Sequence, residues 1–199
     1  MIIHIVSACC KKKMEVGGAV PAKDLYQGTS HLLTKEAVSI LRGRFPDAEI
    51  RWSILSVKYG FVDENELILP YEDTKFRESS VSGVIEKMSS DKKESFEKGL
   101  DGIIENSDVT IICMGNKHNK LCNFPHRTGD GNVIIVGSEF DFDGYKYVTV
   151  NDKRGVLHAS WTDIKGVAMK VLSKKIEWGM DQWEMRNILL NYNYSKGWE

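Results

Sequence analysis

At 199 residues, with 42% apolar and 28% charged side chains, the chain is long enough to bury a core without disulfide or metal staples. Its 27 lysines and arginines against 28 aspartates and glutamates leave a formal charge of −1, which excludes a global electrostatic pull on nucleic acid or membrane, so a nucleic-acid partner would need a local basic patch. The apolar run at residues 1–6 is too short for a secretory core and far below a membrane span, so a cytoplasmic protein with no membrane partner is expected.

Residues 2–6 read as a buried first strand, followed by a long loop over residues 7–28. Thr29 or Ser30 then caps a helix whose apolar positions Leu32, Leu33, Ala37, Ile40 and Leu41 repeat at three and four residues, with Pro46 just past its end. Residues 50–55 supply a second strand, and a loop over 56–71 leads into a helical region divided near residues 89–91. Residues 109–114 and 133–136 are the third and fourth strands, continuous in β-branched residues. The stretch 141–152, with Asp143 and Gly144, reads as a hairpin or irregular segment, and two more helices are predicted between Trp161 and about residue 190, parted near Gly179 with Asp181 as a cap. The expected architecture is one α/β domain over residues 1–199. Residues 1–140 form a mainly parallel sheet flanked by helices, and residues 141–199 a hairpin and helical extension.

In such a sheet, ligands gather beyond the carboxyl ends of the strands. Three constellations fall there. After strand one come Ser7, Cys9, Cys10, Lys11, Lys12 and Lys13, where a thiol beside cations becomes a better nucleophile and a lysine can hold phosphate or attack an electrophilic carbon. The plain alternative is a solvated basic loop beside two packed cysteines. After strand two come Ser56, Lys58, Tyr59 and Gly60, with Pro70 stiffening Tyr71. Two phenols, a hydroxyl and a tight turn suit a planar heterocycle, or else simply cover the sheet end. After strand three, Gly115 and Asn116 form a turn on the same crevice.

His118, Cys122 and His126 can be drawn as zinc ligands, but Pro125 breaks the helix that would align them and no fourth ligand is suitably spaced, so no metal is expected. The adjacent Cys9 and Cys10, with Cys113 and Cys122, are expected as thiols. His4 and His158 read as packing or surface residues. Lys165, Lys170, Lys174, Lys175 and Arg186 alternate with Trp161, Trp178 and Trp183, a pattern that can track single-stranded nucleic acid, although the tryptophans fall on apolar helical faces and read first as core.

Taken together, Ser-x-Cys-Cys-Lys-Lys, Ala22-x-x-Leu25-Tyr26, Ile54-Leu55-Ser56-x-x-Tyr59-Gly60 and Pro70-Tyr71 resemble a family of bacterial and phage proteins related to the YaaA-like proteins. The likeness covers about the first 75 residues and is carried mostly by residues 53–71. It implies a link to peroxide stress, DNA protection or the insertion of modified bases into DNA. More distantly, the strand-end cysteine and lysine resemble the catalytic domain of archaeosine synthase, which implies a lysine that attacks a nucleobase nitrile and places Tyr26 and His31 near the bound base. Either Cys9 with Lys12 or Cys10 with Lys13 matches the Cys-x-x-Lys pattern.

The expectation is therefore an enzyme, a transferase or hydrolase acting on a nucleobase or nucleotide derivative in nucleic-acid modification or repair, without an external cofactor. In that scheme one of Lys11, Lys12 and Lys13 is nucleophile or phosphate clamp, Ser7 and Ser56 orient the base, and Tyr59 or Tyr71 stacks on it. The alternative is a noncatalytic module for DNA binding or stress protection, holding DNA or RNA through Lys11, Lys12, Lys13, Lys117, Lys120 and Arg127. A phage accessory protein that keeps the fold and has lost the chemistry is a third reading.

Overall fold

The protein is described by a computed structural model covering residues 1–10, 13–71, 88–124, 133–137, 146–149, 161–177 and 184. Its strands in chain order are β1 (Ile2–Ala8), β2 (Val20–Pro21), β3 (Glu49–Ser56), β4 (Gly60–Asp63), β5 (Leu67–Ile68), β6 (Val109–Cys113), β7 (Val133–Gly137) and β8 (Lys146–Thr149). Its helices are α1 (Ala22–Leu25), α2 (Thr29–Arg44), α3 (Ser90–Glu105), α4 (Asn116–Leu121) and α5 (Trp161–Lys175).

The fold is mixed α/β. Six strands form one sheet in the order β4-β3-β1-β6-β7-β8, parallel throughout except for the antiparallel edge pair β3–β4. The central strands are apolar on both faces because helices cover both. Ile3 and Ile5 of β1, Trp52 and Ile54 of β3, and Ile111 of β6 pack against Ala37, Val38 and Leu41 of α2 and Met169 and Leu172 of α5. On the other face Val6, Leu55, Ile112 and Ile135 meet Phe96, Leu100 and Ile104 of α3.

That division follows from connectivity. The chain leaves β1 through α2 to reach β3 on one side, then crosses through α3 to β6 on the other side of β1. Right-handed crossovers in opposite directions put their helices on opposite faces, and the sheet order reverses between β1 and β6. A crevice at the carboxyl ends of these strands is the geometric consequence.

Helix α2 and helix α5 lie close. Arg44 Nη1 donates to the Ser173 carbonyl at 2.9 Å, Lys170 pairs with Glu36 at 2.8 Å, and an added Cβ at Gly166 would stand 2.8 Å from Ser30 Cα. Helix α3 is capped by Ser89, whose hydroxyl accepts from Lys92 N–H, where the expected helix boundary fell.

Four sequence expectations change. Residues 56–71 are not one loop, since β4 folds back on β3 with Ser56 opposite Gly60, and β5 pairs with β2 in a separate two-stranded ribbon. The loop at 7–28 likewise contains β2 and the single turn α1. The N-cap of α2 is Gly28 rather than Thr29 or Ser30, and its buried face is His31, Thr34, Ala37, Val38 and Leu41, leaving Leu32 exposed. Residues 146–149, within the stretch expected as a hairpin or irregular segment, form β8 in parallel with β7, and the rest of that stretch, with Asp143 and Gly144, lies outside the described residues. Residues 72–87 and 178–199 apart from Glu184, and with them Trp178, Trp183 and Arg186, lie outside the described residues. No helix among the described residues is long and apolar enough to cross a membrane.

Candidate functional site

Strand register places three separated segments on one rim. Ser7 lies opposite Ile54 of β3 on one side and Cys113 of β6 on the other, so residues 7–10, 56–60 and 114–116 all emerge at the carboxyl edge. The wall beside them is the β2–β5 ribbon, which holds Tyr26 and Tyr71 together although they are 45 residues apart. The ribbon is tied down by Lys23 N–H on the Glu64 carbonyl at 3.0 Å and Ala22 N–H on the Glu66 carbonyl at 2.9 Å. Arg42 in turn donates to the buried Glu64 carboxylate and to the Ile50 carbonyl, a charged clamp between α2, β3 and the β4–β5 turn.

The candidate residues form two tiers. Beneath the rim, Ser7 is buried and its hydroxyl accepts from the Trp52 indole N–H at 2.8 Å. That bond ties the hydroxyl to the wall of β3. His31 is also buried, with its ring 5.0 Å from that of Trp52 and 5.6 Å from that of Tyr26. Its Nε2–H donates to the Lys23 carbonyl at 2.9 Å, which leaves Nδ1 as a buried acceptor with no hydrogen-bond partner. Burial first, with Lys35 adding to it, lowers the His31 pKa to about 4.

The tier above is a line of hydroxyls. Ser56 Oγ lies 3.0 Å from Tyr71 Oη, which lies 3.1 Å from Tyr26 Oη, and Ser56 Oγ also accepts from Tyr59 N–H at 3.3 Å. Burial and the nearby charge of Cys9 hold both phenols protonated well above the ordinary tyrosine range. Tyr71 is half-buried and reaches the rim, while Tyr26 and Ser56 are fully buried below it. The Tyr59 ring meets Tyr71 edge to face at 5.4 Å, and its hydroxyl donates to the Leu69 carbonyl at 3.1 Å. Two ammonium groups flank this ring pair. Lys13 Nζ stands 4.2 Å from the Tyr71 centroid, and Lys58 Nζ stands 5.2 Å from Tyr71 and 4.9 Å from Tyr59.

No known protein family, curated protein or solved structure matches this chain.

Cys9 and Cys10 follow β1 as half-buried thiols, with Cys9 N–H bonded to the Leu55 carbonyl at 2.9 Å. Cys10 Sγ accepts the N–H of Gly28, the N-cap of α2, at 3.0 Å. Only glycine fits at that cap, since a Cβ would come within 2.8 Å of both Cys10 Cβ and Sγ. Gly60 has φ +84°, the left-handed conformation that lets β3 turn back into β4, so its part at the rim is to shape the backbone.

At the third strand end Met114 is buried, and Gly115 caps α4, its carbonyl accepting from His118 N–H at 2.8 Å and Asn119 N–H at 3.0 Å. The expected Gly115–Asn116 turn is thus the start of a short helix on the same edge. Cys122 is buried in the second core, where burial pushes its thiol up to about 12. Among the described residues no three potential metal-ligating side chains cluster together. Lys11, Lys12, His126, Arg127 and His158 lie outside the described residues.

Sequence reasoning did not single out Trp52 or Gly28, and it named Lys58 at the end of the second strand without giving it a role. Trp52 and Gly28 matter only through Ser7 and Cys10, which are close to them in space and not in sequence.

Proposed function

We propose that this chain is an enzyme acting on a nucleobase or nucleotide derivative, and that its substrate sits at the carboxyl edge of β1, β3 and β6. The observation that carries the reading is the hydroxyl line Ser56–Tyr71–Tyr26, whose middle member Tyr71 reaches the rim beside Lys13, with the half-buried Cys9 and Cys10 on the same edge. Hydroxyls that can each donate or accept suit the mixed donor and acceptor edge of a heterocycle, and an aromatic ring supplies contact area. A thiol and an amine on the same rim are the nucleophiles such a base derivative would meet. Kinship with the YaaA-like proteins, and a setting in nucleic-acid modification or repair, belong to the same proposal.

Lys13 favours the enzyme over a noncatalytic DNA-binding module. Its side chain is half-buried, with the ammonium 4.2 Å from the Tyr71 ring centroid. The test is calorimetry and thermal shift of the full chain against nucleobases, nucleosides, nucleotides and short DNA. A purine-type ligand should bind and raise Tm, and Tyr71→Phe should weaken it. DNA binding with a steep salt dependence and no small-molecule response would favour the binding module, and silence across the small-molecule panel removes the enzyme reading.

A further inference from the structure

We infer that Cys9, in preference to Cys10, is the nucleophile of the proposed site, that the hydroxyl line Ser56–Tyr71–Tyr26 carries its proton, and that the substrate is a base derivative with an unsaturated electrophilic carbon. This rests on the proposed reading of the rim and narrows its substrate class.

Strand register sets the contact. Ser7 pairs with Ile54 and Ala8 with Leu55, and Cys9 N–H donates to the Leu55 carbonyl at 2.9 Å, which continues the parallel ladder by one step and puts Cys9 opposite Ser56. Side chains alternate between faces, so Cys9 follows Ile3, Ile5 and Ser7 onto the face that Trp52, Ile54 and Ser56 share. Neighbouring strands stand about 4.8 Å apart, so the Cys9 thiol lies beside the Ser56 hydroxyl. Tyr71 Oη is 3.0 Å beyond that hydroxyl, and Tyr26 Oη 3.1 Å further. The phenols register the same closeness, since after burial the charge of Cys9 is the largest influence on each of them.

Cys10 is held differently. Its sulfur accepts the Gly28 N–H at 3.0 Å, at the start of α2. A backbone N–H stabilises a sulfur anion, but it neither takes up a proton nor passes one on. A hydroxyl does both, and addition of a thiol to an unsaturated carbon needs both. In that addition the sulfur–carbon bond forms, the π bond of the acceptor breaks, and the thiol proton ends on the far atom of that bond. Nothing is oxidised or reduced, and no group leaves. Ser56 stands beside the thiol and Tyr71 reaches the rim, so a proton taken up at the first can be returned to the substrate from the second. The same hydroxyls donate to the sulfur while it is negative.

The test uses acrylamide, an unsaturated carbon small enough to react without a base pocket, on the full chain. Adducts on Cys9 and Cys10 are timed separately by mass spectrometry of their peptides, and Cys9 is expected to react the faster. Tyr71→Phe keeps the ring and should slow Cys9 about ten-fold or more and move the midpoint of its pH profile upward, with the Cys10 rate in the same chain unchanged. Ser56→Ala should act in the same direction, and thermal unfolding checks that each variant is folded. A merely structural role for the line would instead speed both thiols together and leave the midpoint in place. That result, a faster Cys10, or a Cys9 rate that both variants leave unchanged would overturn the inference. Calorimetry of the parent chain with adenine, which cannot form the adduct, reads the base pocket separately. Adenine binding beside a failed Cys9 result leaves the pocket standing, and no adenine binding removes the pocket and the substrate class with it.

Discussion

The hydroxyl of Tyr71 lies 3.1 Å from that of Tyr26, two phenols that meet only because β5 pairs with β2. Removing either hydroxyl breaks a line of three groups of which two are fully buried. Tyr26→Phe should cost about 1–3 kcal/mol in urea unfolding, since burial leaves no water to replace the lost partner. Tyr71→Phe should cost less, because its ring reaches the rim, yet weaken ligand binding more. Equal small losses in both would mean that the line contributes nothing to stability.

The same two phenols set a limit at alkaline pH. Their folded pKa values lie above the ordinary value of 10, so above pH 10 the unfolded chain releases protons that the folded chain retains. Stability should therefore be intact below that value and fall as pH rises beyond it. Tyrosinate absorbance should gain the contribution of these two residues only when the folded chain gives way.

Two histidines make the opposite prediction in acid. His31 and His4 both have folded pKa values of about 4 against an ordinary 6.5, burial being the largest cause in each case. Between those values the unfolded chain binds more protons than the folded one, so stability is full above pH 6.5 and is lost as pH falls toward 4. The resonances of His4 and His31 followed by NMR should stay in the neutral form down to pH 5. A His31→Phe chain should lose part of the pH dependence of the urea midpoint.

Thiol chemistry tests the rim directly. Cys9 and Cys10 are half-buried while Cys113 and Cys122 are buried, so a soluble disulfide reagent should label two thiols in the folded chain and four after denaturation. Gly28→Ala would press its new methyl against Cys10 at 2.8 Å, costing about 1–3 kcal/mol and displacing Sγ from the Gly28 N–H. The rate at Cys10 should change and that at Cys9 should not, which mass spectrometry of the labelled peptides can read.

Two helix glycines should respond with opposite signs. Gly166→Ala on α5 would set a Cβ 2.8 Å from Ser30 Cα and 2.9 Å from Leu33 Cβ of α2, and backbone cannot give way as a flexible side-chain end can. A loss of about 1–3 kcal/mol is expected. Gly102→Ala on α3 meets nothing within 4 Å and should stabilise by about 0.5–1 kcal/mol through helix propensity alone. Thermal unfolding of the two variants beside the parent chain decides both.

Much of the frame was readable from consecutive residues. Runs such as Ile2–Ala8, Val109–Cys113 and Val133–Gly137 are apolar on both faces, and only a parallel sheet covered by helices on both sides satisfies them. Helix α2 was legible from its three- and four-residue spacing, and α3 starts at the division expected near residues 89–91. By contrast Val20–Pro21 and Leu67–Ile68 are too short to carry any period, and Lys146–Thr149 beside an Asp-Gly pair looks like a turn until the free edge of β7 is known.

For the candidate site the division runs along the same line. The residue sequence determined that polar groups follow each buried strand, because strand, turn and helix signals are properties of neighbours in the chain. Tertiary structure alone decided that Ser7 would serve Trp52, that His31 would sit behind Tyr26, and that Lys13 and Lys58 would share one ring. Those relationships join residues from different strands and loops. They depend on strand order and register, which are set by how the whole apolar surface is buried at once and by no single stretch of sequence.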